Sequence, residues 1–365
     1  MNLVNLQEER WEQPLQAPGE RSLRVHLKGT KSGQDAFLYV FSNKNGMDMA
    51  VSEFGATLQS LWVPDKNGDL RDVVLGYDDP ASYEGNSLPF FGATIGRNAN
   101  RIRNGEFILN GKAYKITKND RDHSLHSGRD FYSFRMWEVQ EETEHSITFS
   151  LYSPDGDQGF PGAVDIRVRY TLTEENEVKI EYRALPLADT VLNLTNHSYF
   201  NLNGHQSGNI LDHSVWIDAD TYLSTNAEAI PTGEIVSVAH TPMDFRVKKQ
   251  IGRDIGQGYE ALLFGNGYDH NWCLNNKGAF AKVAEVSSAK SGITMEVLTD
   301  LPGMQMYTGN FITKENGKAN AVYEKRQGVC FETQYYPDAV NHPHFPSPVF
   351  RKGEVYHTVT VYKFV

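Results

Sequence analysis

The sequence predicts an all-β fold, a large antiparallel β-sandwich, on three observations. Stretches of alternating apolar and polar residues recur along the chain, turn signals separate them, and helical periodicity is almost missing. The 31 glycines and 15 prolines are spread over the whole length, as expected for many short strands joined by turns. With 365 residues, the chain can form one large β domain or two ordinary domains.

The clearest strands form a hairpin in the middle of the chain. Residues 164–172 and 178–184 alternate strictly between apolar and polar side chains, and Glu174-Glu175-Asn176 separates them. The alternation predicts two paired strands with one buried face. Further strands are expected at 148–152, 215–219, 293–298 and 358–365, and a short helical turn near 247–255.

Two Asn-Gly pairs indicate tight hairpin turns. Asn110-Gly111 lies between strand candidates 106–109 and 112–116, and it suits a type I′ turn because both central residues of that turn need a positive φ. Asn67-Gly68 gives a second such signal. No stretch rich in Gly, Ser or Pro divides the chain, so we expect a single domain over 1–365 with residues 1–28 as an N-terminal extension.

Charge and hydropathy exclude several classes of partner. The net charge of −11 argues against nucleic acid, whose backbone needs clustered Lys and Arg, and no apolar run is long enough for a membrane. The first ten residues lack the basic and apolar regions of a signal peptide. Cys273 and Cys330 are expected to be buried free thiols. We therefore expect a cytoplasmic protein that acts on a neutral small molecule.

Polar side chains stand in apolar or glycine-rich surroundings in six segments. The arginines of the first segment, Arg97 and Arg101, offer forked donors that could grip sugar hydroxyls. Most of these polar residues on their own are more often satisfied structural groups, and Glu332 could equally be a buried carboxylate bonded to Arg, so the residues alone predict only a β enzyme or a carbohydrate-binding protein with a polar pocket. The segments are 90–102, 122–128, 193–202, 268–272, 301–310 and 328–338.

Common cofactor and metal patterns are missing or weak. Residues 256–261 formally fit a dinucleotide fingerprint, but they follow a helix-like stretch where that motif requires a strand. His342-Pro-His344 lacks a clear third metal ligand. The sequence therefore predicts neither a metal nor an organic cofactor.

At its polar segments the chain resembles the aldose 1-epimerase (galactose mutarotase) family. Eight short motifs occur in family order from about residue 38 to the C-terminus, and this order makes a chance resemblance improbable. The resemblance implies the family's large β-sandwich, the galactose mutarotase-like supersandwich, with a sugar site on its concave face. The motifs lie at 72–76, 96–102, 124–126, 153–156, 193–201, 269–271, 305–310 and 332–341.

The resemblance also implies roles for eight residues. Glu332 matches the family's general base and His197 its general acid, which together open and reclose a hexose ring without a cofactor. A carboxylate and an imidazolium in the same state would give a bell-shaped pH profile. Ser127 replaces the family's more usual glycine and would add a hydroxyl near the pocket. The positions that match sugar-binding residues are Asn100, Arg101, His126, Tyr199, Asp269 and Gln305.

Other functions stay open at this point. Asp269 and Glu332 could be the paired carboxylates of a glycoside hydrolase. An epimerase of a disaccharide's reducing end or of hexose 6-phosphates uses the same chemistry, although a phosphate would need extra cations. A non-catalytic sugar-binding protein is a further alternative. We expect the chain to be a monomer or a homodimer with an aldose as its small-molecule partner.

Overall fold

The computed structural model describes residues 23–27, 29–30, 33–85 and 89–365. Of the predicted extension over 1–28, only residues 23–27 are described, and they form the first strand of a sheet. The described chain is built from thirty short strands, several single 3₁₀ turns and two short α-helices, α1 (Pro80–Gly85) and α2 (Glu260–Phe264). It contains no helix with the length and apolarity needed to span a bilayer. The prediction of an all-β fold is confirmed.

The strands in chain order are β1 Leu23–Leu27, β2 Ala36–Ser42, β3 Asp48–Ser52, β4 Thr57–Pro64, β5 Leu70–Asp72, β6 Thr94–Ile95, β7 Arg101–Ile102, β8 Glu106–Leu109, β9 Lys112–Lys115, β10 Ser124–Leu125, β11 Glu138–Glu142, β12 Ser146–Ser153, β13 Val164–Leu172, β14 Glu177–Pro186, β15 Thr190–Val191, β16 Thr195–Asn196, β17 Tyr199–Phe200, β18 Ser214–Ile217, β19 Thr221–Thr225, β20 Pro231–Ser237, β21 Lys249–Gln250, β22 Asp269–Cys273, β23 Ala281–Ser287, β24 Thr294–Thr299, β25 Gly303–Tyr307, β26 Glu315–Asn316, β27 Val322–Tyr323, β28 Val329–Gln334, β29 Val349–Phe350 and β30 Tyr356–Phe364.

Three antiparallel sheets carry most of these strands. A nine-stranded sheet has the order β11-β12-β13-β14-β30-β24-β23-β18-β21, and a six-stranded sheet has the order β17-β28-β25-β22-β19-β20. A five-stranded sheet, β1 to β5 in sequence order, forms the N-terminal part, and the remaining strands form two-stranded pairs. The nine- and six-stranded sheets pack face to face, since Phe200 of one and Tyr362 of the other have ring centroids 4.8 Å apart.

Alternation along each strand explains why the sheets bury their facing sides. In β13 every second residue from Val164 to Leu172 is buried, and β14 repeats the pattern in register with it. These side chains join one large apolar core that also holds Trp272 and Phe331 of the six-stranded sheet. The Tyr362 hydroxyl crosses the core and donates to the Phe331 carbonyl at 3.0 Å. One face of the six-stranded sheet thus packs in the core, and the opposite face carries polar side chains.

The predicted hairpins are confirmed with one correction. β13 and β14 pair antiparallel, and Asn110 and Gly111 both have positive φ, 51° and 74°, between β8 and β9. Asn67-Gly68 also joins paired strands, but the two-residue turn predicted there is wrong, since only Gly68 has a positive φ. The Asp65 carboxylate accepts the backbone N–H groups of Asn67 and Asp69, which stabilises a longer loop.

The other local predictions hold with shifted ends. β12, β18, β24 and β30 cover the four further strands that were expected. The helical turn expected near 247–255 is shorter, because β21 occupies its beginning and a 3₁₀ turn follows at Ile251–Arg253. Residues 256–261 follow that 3₁₀ turn and lead into α2, without the strand that a dinucleotide fingerprint needs.

A buried ion pair ties the segment after β26 to the five-stranded sheet. Lys318 Nζ lies 2.6 Å from Asp72 Oδ2, and both side chains are almost fully buried. Lys318 also donates to the Gln59 carbonyl and the Ser60 hydroxyl, while Asp72 Oδ1 accepts the Leu61 N–H. Burial lowers the pKa of Lys318, and the Asp72 carboxylate opposes that shift. Removing one partner would therefore leave the other charge buried without compensation.

We expect Lys318→Met to destabilise the protein by about 3–5 kcal/mol, because it strands the Asp72 carboxylate in the interior. Urea unfolding followed by circular dichroism would measure the change. Lys363→Met is the matched control, since Lys363 pairs with Glu177 at the surface and should contribute less than about 1 kcal/mol. Equal stability changes in the two variants would contradict the assignment.

Candidate active site

The polar face of the six-stranded sheet brings four predicted site residues together on four neighbouring strands. Gln305 and Glu332 are direct partners across β25 and β28. Because side chains alternate along a strand, the flanking Met306 and Phe331 point to the opposite face and join the core. The four strands and their site residues are β17 with Tyr199, β28 with Glu332, β25 with Gln305 and β22 with Asp269.

His197 is placed by the short loop between β16 and β17. Its N–H donates to the Ala93 carbonyl and its carbonyl accepts the Gly92 N–H, both at 3.0 Å. The Asn196 side chain adds a bond to the Gly92 carbonyl at 2.8 Å. Gly92 has φ +68°, and a Cβ there would lie 2.0 Å from the Leu58 carbonyl oxygen, so the position requires glycine. The backbone of His197 is therefore fixed on both sides.

His197 and Glu332 form the centre of the site. The distance from His197 Nε2 to Glu332 Oε2 is 3.5 Å, and the two residues are 4% and 2% exposed. The approach does not have hydrogen-bond geometry, and Glu332 Oε2 has no hydrogen-bond partner among the described residues. Aromatic rings of Phe90 and Tyr199 lie 5.7 Å and 5.1 Å from the His197 ring. A buried carboxyl oxygen without a partner is available to a bound ligand.

Burial acts on both members of this pair and disfavours their charged forms. It raises the pKa of Glu332 well above its usual range, and the nearby Asp269 carboxylate adds to the shift. It lowers the pKa of His197 to about 4. The sequence suggested a carboxylate beside an imidazolium, whereas desolvation favours a neutral acid beside a neutral imidazole. Both arrangements hold the same single exchangeable proton, and they differ only in which atom, Glu332 Oε2 or His197 Nε2, carries it.

His126 lies beside the pair, with its ring 5.4 Å from that of His197. Asn100 holds it twice, since the His126 N–H donates to the Asn100 carbonyl and the Asn100 N–H donates to His126 Nδ1. Both residues have positive φ, 53° and 59°, an uncommon conformation that is enriched at functional sites. Burial holds the pKa of His126 well below its usual value. With Nδ1 accepting, the neutral ring carries its hydrogen on Nε2 and acts as a donor there.

The same three side chains could be considered as a metal site. Ligand atoms of His126, His197 and Glu332 lie within 4.8 Å of one another, and two imidazoles with a carboxylate are a donor set that Zn²⁺ uses. The Asn100 N–H argues against this use, because it occupies the Nδ1 lone pair of His126 and leaves a hydrogen on Nε2. The arrangement therefore favours proton exchange and hydrogen bonding over metal binding.

Two further predicted residues carry charge near the pair. Arg101 Nε donates to Asp120 Oδ2 at 2.8 Å, and Gln305 Nε2 donates to Asp269 Oδ1 at 2.7 Å. Burial raises the pKa of Asp269, while the charge of Arg101 opposes that rise. Arg101 likewise opposes the raised pKa of Glu332. The charge of Arg101 thus limits the rise in pKa of both Asp269 and Glu332. The guanidinium nitrogens of Arg101 other than Nε remain for a ligand.

One wall of the cleft comes from a hairpin that the sequence did not predict as part of the site. The β19–β20 hairpin has few polar residues that signal function, and only its position in the sheet brings its tip over the cleft. Glu228 at the tip approaches His123 Nε2 at 3.3 Å, and Arg121 donates to the Glu228 carbonyl. The cleft is lined by Asn100, Asp269 and Gln305 on one side and by Thr225, Ala229 and Pro231 of the hairpin on the other.

Two sequence interpretations need correction. Arg97 cannot grip a sugar, because it is 1% exposed and donates to the carbonyls of Pro161 and Gly162 at 2.9 Å and 2.7 Å. Ser127 does not offer its hydroxyl to the pocket either. Its Oγ accepts the Asn98 N–H and donates to the Asn98 carbonyl. Both side chains instead stabilise the loop that carries Asn100 and Arg101.

Comparison with known proteins identifies relatives over nearly the whole chain. The profile of the aldose 1-epimerase family matches residues 38–363. Galactose mutarotase of Homo sapiens is 43% identical over 315 residues, which cover 86% of this chain and 90% of that protein. Aldose 1-epimerase of Escherichia coli is 36% identical over 336 residues, or 91% of this chain and 96% of that protein.

Solved structures have the same fold. An aldose epimerase homologue from C. elegans superposes with a TM-score of 0.83 and 31% identity, over 94% of this chain and 99% of that one. A galactose 1-epimerase from Lactobacillus acidophilus gives a TM-score of 0.82 and 26% identity over the same shares.

We expect His197 and His126 to stay uncharged at neutral pH in the ligand-free protein, because burial lowers the pKa of both rings. Nitrogen NMR of the imidazole rings, titrated from pH 8 to 5, would detect this, with the urea-unfolded protein as reference. In the unfolded chain the rings should take up protons near a pH of about 6.5. If His197 of the folded protein titrated there as well, the electrostatic description of the site would be wrong.

Proposed function

The chain belongs to the aldose 1-epimerase family and interconverts sugar anomers, and on this premise we propose that its substrates are free hexoses, galactose and glucose, whose protons are exchanged by Glu332 and His197. The observation that carries the proposal is the buried contact of 3.5 Å between a carboxyl group and an imidazole. Named relatives act on galactose or on aldoses, which supports the choice of sugars.

Ring opening needs two proton transfers in opposite directions. Glu332 as a carboxylate takes the proton of the C1 hydroxyl while His197 as an imidazolium gives the Nε2 proton to the ring oxygen. The C1–O5 bond breaks and C1 becomes the aldehyde carbonyl. Rotation about C1–C2 turns the other face of the carbonyl toward O5. Reclosure returns both protons and yields the opposite anomer, so the sugar and the pair keep their proton count.

The raised pKa of Glu332 and the lowered pKa of His197 favour the two proton transfers of ring opening. Burial makes the Glu332 carboxylate a stronger base than a solvated one and makes the His197 imidazolium a stronger acid. The ionised pair differs from the uncharged pair only in that its one proton lies on His197 Nε2 instead of Glu332 Oε2. Each positioned group of this kind typically contributes about 10²–10⁴-fold to the rate.

The remaining site residues would hold the hydroxyls that do not react. His126 donates from Nε2, the Asp269 carboxylate accepts, and Arg101 donates from the guanidinium nitrogens left free by Asp120. Asn100 and Gln305 position these groups through their own hydrogen bonds. Tyr199 adds an aromatic wall beside His197. Fixing the ring in this way limits motion to the C1–C2 region, which favours productive reclosure.

The broader setting follows the same premise. We infer a single catalytic domain over the described chain, supported by a family match that leaves only the chain ends outside and by one large apolar core. We also infer a monomer or homodimer in the cytoplasm. The two buried free thiols, Cys273 and Cys330, are compatible with a reducing compartment.

We expect Glu332→Gln to lower kcat at least about 10²-fold, because the amide has the size of the acid but cannot take a proton. Polarimetry with fresh α-galactose, α-glucose, xylose and maltose would measure the rate, and calorimetry would show that galactose still binds. Glu181→Gln is the control, since Glu181 pairs with Lys179 on the open face of the nine-stranded sheet. Near wild-type rates in Glu332→Gln would refute the role of this residue.

We expect kcat/KM to follow a bell-shaped pH profile with displaced limbs. Activity needs one proton on the pair, so it falls at low pH when His197 gains a second one, near pH 4 instead of the usual value of about 6.5. It falls at high pH when Glu332 loses the shared proton, above the ordinary carboxyl range. Initial rates corrected for uncatalysed mutarotation would give both limbs. An acid limb near 6.5 would show that burial does not control His197.

A further inference from the structure

Two residues of strand β28 contact the two nitrogens of the His197 ring. Cys330 and Glu332 stand two residues apart in β28, so their side chains leave the same face of the sheet while Phe331 between them enters the core. Cys330 Sγ lies 3.6 Å from His197 Nδ1, and Glu332 Oε2 lies 3.5 Å from Nε2. We propose that Cys330 is a positioning residue whose sulfur accepts the Nδ1 hydrogen of His197, so that only Nε2 exchanges protons with the sugar.

The sulfur of Cys330 is an uncharged thiol. The residue is fully buried, and burial raises the pKa of its thiol well above the usual value, with the Glu332 charge acting in the same direction. A thiolate–imidazolium pair, in which the sulfur would be a nucleophile, is therefore disfavoured. A neutral sulfur is a weak acceptor, and the contact of 3.6 Å is in the range for such a bond.

The single exchangeable proton of the His197–Glu332 pair requires a hydrogen on Nδ1 of His197. The working pair holds one exchangeable proton, which is on Glu332 Oε2 or on His197 Nε2. When it is on Oε2, Nε2 must present a lone pair to receive it, so the neutral ring keeps its hydrogen on Nδ1. When it is on Nε2, the ring is an imidazolium and Nδ1 still carries a hydrogen. In both states that hydrogen faces the sulfur of Cys330. The sulfur can therefore accept it throughout the reaction cycle.

A sulfur at this position also leaves His197 a strong acid. A carboxylate beside Nδ1 would stabilise the imidazolium and raise its pKa, as in carboxylate–histidine pairs. An apolar side chain would remove the sulfur acceptor and leave the buried ring with only the bond to the backbone of His197 itself. The other titratable groups that face the ring are Glu332, His126, Tyr199 and Tyr307. Glu332 approaches Nε2, whereas the sulfur of Cys330 approaches Nδ1, so each ring nitrogen has its own side-chain neighbour from β28.

This inference rests on the proposed acid role of His197, and polarimetry combined with nitrogen NMR of the full chain tests it. In Cys330→Ala we expect kcat to fall about tenfold at nearly unchanged KM, the scale of one hydrogen bond. Cys330→Ser should recover kcat to within about threefold of wild type, since a hydroxyl is also an acceptor. The acid limb of kcat/KM should move to lower pH in Cys330→Ala and to higher pH in Cys330→Ser.

The nitrogen NMR spectrum tests the proposed Nδ1 hydrogen of His197 independently of activity. At pH 7 the wild-type His197 ring should show a hydrogen on Nδ1, and Cys330→Ala should show a mixture of tautomers. A wild-type ring without that hydrogen would overturn the inference, and so would a Cys330→Ala protein with wild-type kcat and pH profile. Cys273→Ala is the matched control, because Cys273 is the other buried free thiol and lies in a separate apolar cluster with Leu223 and Tyr336.

Equal losses in Cys273→Ala and Cys330→Ala would also overturn the inference, because they would show a packing effect. If the wild-type protein failed to mutarotate any hexose, the proposed function would fall, while the Nδ1 hydrogen could still be present or absent in the spectrum. The two failures are therefore distinguishable.

Discussion

Desolvation of Glu332 and His197 is the constraint around which the site is organised. Burial disfavours the charged form of each group, so the two side chains, 3.5 Å apart, carry one exchangeable proton and no net charge. A solvated pair would have ordinary pKa values and would be a weaker base and a weaker acid. The low polarity around the pair comes from aromatic rings, chiefly those of Phe90 and Tyr199, that pack against the His197 ring.

The register of the six-stranded sheet meets this constraint. Pairing of β28 with β25 and β17 sets Glu332 beside Gln305 and brings Cys330 next to Tyr199. A shift of one residue in β28 would turn Glu332 into the apolar core and Phe331 into the pocket. The packing of Phe331 against the nine-stranded sheet therefore stabilises the fold and orients the carboxyl group at the same time.

Buried polar side chains outside the pocket determine where the loops run. Arg97 donates to several carbonyls between Ser153 and Gly162, and Asn196 bonds Gly92 on the loop next to His197. A buried donor without a partner costs about 1–3 kcal/mol, so these bonds strongly favour one loop conformation. His197, His126 and Asn100 stand on loops held in this way, so their positions depend on buried side chains outside the pocket.

Much of the fold was readable from the sequence. Alternation over 164–172 and 178–184 predicted β13 and β14, and Asn110-Gly111 predicted its turn, because these signals are local. The two-residue turn predicted at Asn67-Gly68 was wrong because the Asp65 carboxylate accepts nearby backbone N–H groups. The Asn-Gly pattern does not include that contact. Ordered family motifs assigned the eight site residues, and the structure gathers these around one cleft and one buried pair.

The sequence by itself determined the period-two pattern of its strands and the presence of isolated polar residues within them. Only the tertiary structure decided that Arg97 is structural while Arg101 faces the site, since both are arginines in one short segment. It also decided that Cys330, Glu332 and His197 meet, although Cys330 and His197 are 133 positions apart in the chain. The physical reason is that pairing between distant strands sets long-range neighbours and desolvation, and neither quantity is encoded in any short stretch of chain.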